Sequence, residues 1–342
     1  MKKSKAFLIL GVFSLLCANA VFAQRGTVSQ GETLEVRLAS FMPRNSEWGR
    51  CLDRMSAEWA RVTNNAVRLR VIHDGLEGGE QKTLSSLSAD NIQAALFTSF
   101  GLNNICPSVM TLSAPFLIRN EAELDLVLKD AKPLLDAQIN KTNFVVLAWS
   151  KGGWVNIFSN KPVVVPDDHR SLKMATNPDD TNFNAAFRAM GFNLVETELT
   201  DLGPRIASNM VSAFYQTPAS VAPLGLYKQL NNMLDTPIAP FLGAIVINRV
   251  TWNKISPANK AEILRVTQKI AVEFESVMPR TVSNAVTMMK RDGLKVNSLN
   301  TAQERLWLTE VQKAMPSLLG NTFDPELYGK INEILRKSRS GQ

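Results

Sequence analysis

The side chains that most often do chemistry are few in this sequence and badly spaced for it. There are two histidines, His73 and His169. Neither stands in the His-Glu-x-x-His pattern that puts two zinc ligands on one helix face, and no Cys-x-x-Cys occurs. A metal site would have to assemble from scattered carboxylates, and none is expected. No Gly-x-Ser-x-Gly elbow positions a serine nucleophile. Gly75, Gly78 and Gly79 form a loop, but without the lysine and spacing that phosphate binding needs. Cys51 or Cys106 beside His73 would supply the atoms of a Cys-His nucleophile. Nothing near either thiol is arranged to activate it, so structural roles are favoured. Asp179-Asp180 is the one adjacent carboxylate pair considered for acid–base work. It precedes a helical pattern starting near Thr181 and reads better as that helix's cap. The sequence therefore reads as a non-enzyme, with no cofactor expected.

Composition narrows the class. The chain has 342 residues, with 45% hydrophobic and 20% charged, and a mean hydropathy of −0.05. These are ordinary globular values, and the length suggests two domains. The formal net charge is +7. Three of the basic residues, Lys2, Lys3 and Lys5, lie in an acid-free leader, so the rest of the chain carries a scattered +4. Nucleic-acid binders concentrate basic residues in a stripe, and no such run exists here.

Residues 1–23 read as a secretory signal. The lysines are followed by the apolar run Ala6–Leu16, too short to span a bilayer, and by small-residue cleavage patterns ending at Ala20 and Ala23. Cleavage after Ala23 is preferred, which gives an exported, periplasmic protein. Cys17 leaves two readings open. A cysteine after an apolar run can be the lipidated first residue of a lipoprotein, anchored to the membrane. The bulky Leu16 before it favours a cysteine inside a discarded signal. Cys51 and Cys106 could pair in an oxidising compartment or stay as buried thiols.

The remainder alternates strand and helix patterns. Leu34–Ser40 alternates in period two, and residues 46–63 place Trp48, Leu52, Met55, Trp59 and Val62 on one helix face. Val67–His73 is a strand, 80–90 a helix, and Ile92–Ser99 an apolar strand covered on both faces. Helix 121–139 follows. Two strands, Val145–Trp149 and Trp154–Phe158, are expected on either side of Gly152-Gly153. Short strands at Leu172–Ala175, Asn193–Glu198 and Met210–Tyr215 alternate with helices at 182–190, 201–208 and 218–230. After strand Phe241–Asn248, Ser256-Pro257 is a good helix start. The pattern then runs from Ala258 to about Arg291, with Pro279 expected to kink or divide it. Thr301-x-x-Glu304 reads as a capping box for helix 301–315, and a last helix covers about 324–338. Such alternation predicts mostly parallel sheets with helices on both faces and ligands beyond the strand ends. An exported two-domain α/β chain without a catalytic motif points to a clamshell with a ligand cleft between its lobes.

Several segments together resemble the extracytoplasmic solute-binding proteins of TRAP transporters, the DctP-like family. They are His73-Asp74-Gly75-Leu76-Glu77-Gly78-Gly79-Glu80 followed by Leu84–Ala94, then Leu112–Leu117, then Asn160–Val163 with Pro166–Asp168 and Leu172–Met174, and finally Asn248 with Trp252. The resemblance covers nearly all of residues 34–340. It implies a periplasmic-binding-protein-like clamshell. Lobe I would comprise 32–150 and 237–257, and lobe II 151–236 and 276–342. A long helix, 258–291, would span both. It also implies a small-molecule receptor that hands its solute to TRAP permease membrane subunits, with no nucleic acid involved.

The departures from the family pattern are informative. The family's carboxylate-binding arginine would fall at Ala175, and a second arginine position at Val155. The family's polar asparagine becomes Gln216. A slip of one residue in this matching would present Trp154 or Thr176 instead. A cleft without its guanidinium would leave an acid ligand's charge poorly compensated. The candidate lining is apolar: Phe41, Met42, Trp48, Phe100, Trp154, Met174, Phe214 and Tyr215, with Gln216 and Asn248 as polar anchors and His73 nearby. For several of these a structural role competes. Trp48 shares a face with Leu52 and Met55, and Asn248 is placed to cap a helix. His73 suits a turn, and Phe214 and Tyr215 should point to opposite sides of a strand. The reading is a receptor for a hydrophobic or amphiphilic solute. The alternatives are a scaffold or sensor docking a tetratricopeptide-repeat lipoprotein, or a receptor for an ordinary organic acid held by other residues.

Overall fold

The computed structural model describes residues 33–340. The leader, its cleavage sites and Cys17 lie outside the described residues. In chain order the strands and helices are β1 (Leu34–Ala39), α1 (Glu47–Val62), β2 (Val67–Ile72), α2 (Glu80–Ser88), β3 (Ala94–Thr98), α3 (Ser99–Asn103), α4 (Glu121–Ile139), β4 (Phe144–Ser159), α5 (Pro166–Arg170), β5 (Lys173–Thr176), α6 (Thr181–Ala189), β6 (Asn193–Glu196), α7 (Leu199–Ala207), β7 (Ala213–Gln216), α8 (Pro218–Leu224), β8 (Asn232–Leu234), β9 (Ala239–Asn248), α9 (Arg249–Lys254), α10 (Pro257–Arg291), β10 (Lys295–Asn297), α11 (Thr301–Leu318) and α12 (Pro325–Ser340).

The strands run in the order β2-β1-β3-β9-β4-β7-β5-β6, with β8 pairing β4 and β10. β1, β2 and β3 are parallel, as are β5, β6 and β7, while β9 is antiparallel to β3 and β4. The alternation read from the sequence thus forms two mainly parallel groups, joined through antiparallel β4 and β9.

β4 corrects the expectation of two strands. It is one strand of 16 residues. Its first part pairs β9 and its end pairs β7 and β8. The Gly152-Gly153 break survives only as a register shift between Lys151 and Trp154. Gly153 has φ +98°, a conformation that a side chain resists. The glycine pair therefore bends a continuous strand instead of ending it.

α10 is a single helix of 35 residues, about 50 Å long. Pro279 neither ends nor splits it. One lost backbone hydrogen bond is outweighed by the face that buries Ile263, Val266, Ile270, Phe274 and Met278. The start at Ser256 is as expected, its side chain accepting from Asn259 N. The capping box of α11 lies one residue earlier than expected, with Asn300 and Gln303 reciprocating. α12 packs on α4, through Arg339 bonded to both oxygens of Glu123 at 2.7 and 2.8 Å. The C-terminal helices therefore do not all sit on the second group of strands, as the grouping of 276–342 with lobe II implied.

Among the described residues, no helix is long and apolar enough to cross a membrane. Cys51 and Cys106 are buried free thiols in separate core clusters.

Candidate ligand-binding cleft

A cavity of about 380 Å³ lies where the two groups of strands meet. β3 and α3 supply Thr98, Ser99 and Phe100, and β5 supplies Ala175 and Thr176. α6 with its leading residue supplies Asp180 and Phe183, β7 supplies Phe214, Tyr215 and Gln216, and β9 opens with Ala239, Pro240 and Phe241. The β residues come from strand ends, where an open α/β sheet leaves space. Phe241 is held in place by Gly152, since a Cβ there would come within 2.5 Å of its ring. One edge of the cleft is bridged. Phe100 and Phe183 meet edge to face at 5.7 Å, and Asn182 donates to Asn103 Oδ1 over 2.8 Å.

Seven of the residues singled out in the sequence line this cavity: Phe41, Phe100, Val155, Ala175, Phe214, Tyr215 and Gln216. Phe214 and Tyr215 part to opposite sides as expected, Phe214 against Phe158 and Tyr215 against Phe183 and Phe187, yet both border the cavity. Thr176 also lines it, whereas Trp154 packs on the core.

The other singled-out residues lie elsewhere. Trp48 stacks on Phe274 at 4.2 Å, inside the core between α1 and α10. Met42 packs against that same core. Met174 is 1% exposed, because alternation turns it away from the cleft. His73 holds Asp53 Oδ1 at 2.8 Å in a turn. Asn248 caps α9, accepting from Thr251 N while donating to Asp90. These five lie outside the cavity lining.

Three acids line the cavity, Glu80, Asp180 and Glu198, and the sequence reading took none of them as a solute contact. Glu80 opens α2, and its carboxylate accepts from Thr98 N at 2.5 Å and from Thr98 Oγ1 at 2.7 Å. Asp180 precedes α6 but makes no side-chain cap bond. Its Oδ2 instead accepts from the Tyr215 hydroxyl at 3.2 Å. The expectation of Asp180 as a cap is therefore corrected: the side chain turns into the cleft. Burial, and then the nearby Glu80 charge, push its carboxyl up to about 8. Burial raises Glu80 as well, and it raises the Tyr215 phenol with Asp180 adding to the effect. Among the described residues lining the cavity there is no lysine, arginine or histidine. Nor do His, Cys, Asp and Glu cluster anywhere among them as a metal site would require.

The sequence pattern of the bacterial extracellular solute-binding proteins, family 7 (DctP), matches residues 38–320. The chain belongs to this family. Relatives include the 2,3-diketo-L-gulonate-binding periplasmic protein YiaO of Escherichia coli K12, 23% identical over 68% of this chain and 72% of that protein. The two-lobed fold is that of TRAP periplasmic solute-binding proteins. One from Ochrobactrum anthropi superposes with TM-score 0.81 at 18% identity, covering 91% of this chain and 97% of that one. Another, from Ralstonia eutropha H16 with bound (S)-2-acetolactate, gives 0.79 at 18%, covering 89% and 99%. A third, from Desulfovibrio salexigens with bound orotic acid, gives 0.79 at 14%, covering 90% and 99%.

Proposed function

We propose that this family-7 protein is the extracytoplasmic receptor of a TRAP-type secondary transporter, and that its cleft takes a hydrophobic or amphiphilic solute. The solutes named for the structural relatives above are organic acids. The cleft of this chain is a poor match to such a ligand. The observation that carries the reading is Ala175. It stands where the family resemblance puts a carboxylate-binding arginine, and it lines a cavity without a cationic side chain among the described residues. An acid buried there would meet Glu80 and Asp180 instead of a guanidinium, so its charge would be left uncompensated in a dry site. Aromatic and aliphatic walls would instead contribute roughly 0.8 kcal/mol for each ligand methylene buried.

Export through the leader and delivery to membrane permease subunits complete the proposal. A cavity of about 380 Å³ also favours a solute receptor over a purely scaffolding role, which would need no open cleft. Protein purified from the periplasm should release an apolar or amphiphilic compound on solvent extraction, visible as added mass in native mass spectrometry. A tightly held dicarboxylate would overturn the reading.

A further inference from the structure

Resting on the receptor reading, we propose that the cleft selects an amphiphilic amine, its ammonium group seated between the carboxyls of Glu80 and Asp180 and its apolar body among the aromatic rings. Glu80 comes from α2 beside the first group of strands, and Asp180 from the start of α6 beside the second. Both line the same cavity, close enough for their charges to oppose one another. Asp179 adds an acid beside Asp180, Glu198 is a further acid of the lining, and the neighbour from β7 is the phenol Tyr215. No cationic side chain among the described lining residues offsets them. The cleft therefore favours the protonated form of Asp180, and a ligand bringing its own positive charge relieves the site.

The hydrogen bonding leaves room for such a head group. Tyr215 occupies Oδ2 of Asp180, and no protein donor among the described residues reaches Oδ1. Thr176 lines the same cavity, is 2% exposed, and its Oγ1 has no partner. An ammonium has three donors and no acceptor, so it suits a carboxylate oxygen and a hydroxyl oxygen together. Phe41, Phe100, Phe183 and Tyr215 line the cavity, and aromatic rings favour a cation in a desolvated site. An uncharged alcohol would gain the apolar walls but, with a single donor, could fill only one of these acceptors.

Binding then exchanges a proton for a cation. At pH 7 the free Asp180 holds its proton. Beside an ammonium it gives that proton to solvent, while the amine keeps its own. Affinity for the amine should thus rise from pH 6 to 8.

The test uses the ligand-stripped protein and three matched probes: phenylpropylamine, phenylpropanol and phenylpropanoate. In titration calorimetry at pH 7 the amine should bind about tenfold or more tighter than the alcohol. Buffers of differing ionisation heat should reveal proton release. Asp180→Asn, and separately Glu80→Gln, should bring amine and alcohol towards parity. Equal or tighter binding of the alcohol or the carboxylate overturns the amine proposal and leaves the receptor reading intact. Amine preference without proton release, or unchanged in both variants, also overturns it. No heat and no thermal shift with any probe overturns both.

Discussion

The Tyr215 hydroxyl donates to Oδ2 of Asp180 over 3.2 Å, joining the end of β7 to the start of α6 inside the cleft. That bond spends one face of a carboxyl that local sequence had assigned to helix capping. Burial without a counter-cation holds this carboxyl protonated near neutral pH.

Ligand-free stability should depend on Asp180. Its folded value, about 8, lies above the usual 3.8. Below pH 4 both folded and unfolded chains hold the proton. Between about 4 and 8 only the folded chain does, so this group's stabilisation declines as pH rises. Asp180→Asn should raise the Tm of the empty protein at pH 8 and leave it nearly unchanged at pH 4, as thermal melts would show.

His169 should act in the opposite sense. It is fully buried and stacked on Phe192 at 3.7 Å, and neither ring nitrogen has a partner. Burial lowers it from 6.5 to about 4. Stability linked to it is present above pH 6.5 and lost as pH falls towards 4, where the unfolded chain takes the proton first. His169→Phe should flatten that acid limb in urea titrations taken at successive pH values.

Ala175→Arg should change what the cleft accepts. The guanidinium would enter a cavity lined by Glu80, Asp180 and Glu198 and would pair with their carboxyls. Binding of apolar and cationic probes should fall at least about tenfold, read by calorimetry. Unaltered binding would show that the cavity is not the site.

Arg339→Ala should loosen the carboxyl-terminal helix. Arg339 meets both oxygens of the buried Glu123 and also donates to Leu117 O at 2.9 Å. Losing it leaves Glu123 poorly compensated. The cost should be about 2 kcal/mol in denaturant unfolding, below the fully buried range because Arg339 keeps some solvent contact.

Cys51 and Cys106 should resist thiol reagents in the native protein, since both are 3% exposed or less and burial raises both thiols. Both should react once guanidinium unfolds the chain. Rapid native labelling would contradict this burial.

Much of the fold was legible because it is written in short-range periodicity. Helix 121–139 and the Ser256 start came through unchanged. The three-residue strands β8 and β10 did not, being too short to show alternation. In the cleft, Phe41, Phe100, Val155 and Ala175 were legible from their places after strands and in family-like segments. Trp48 misled because its partner, Phe274, lies far along the chain. Asp180 misled because a residue before a helix looks the same whether its carboxyl caps or turns away. Only the position of Tyr215, set by sheet pairing, decides between them.

The shared β4 and the late β9 also order events during synthesis. β3 has no partner on its far side until residues 239–248 have been made, after β5–β8. A chain stopped after β8 would leave β3 with a raw edge, free to zip onto other chains. Amino-terminal fragments should therefore clump instead of forming a free-standing half.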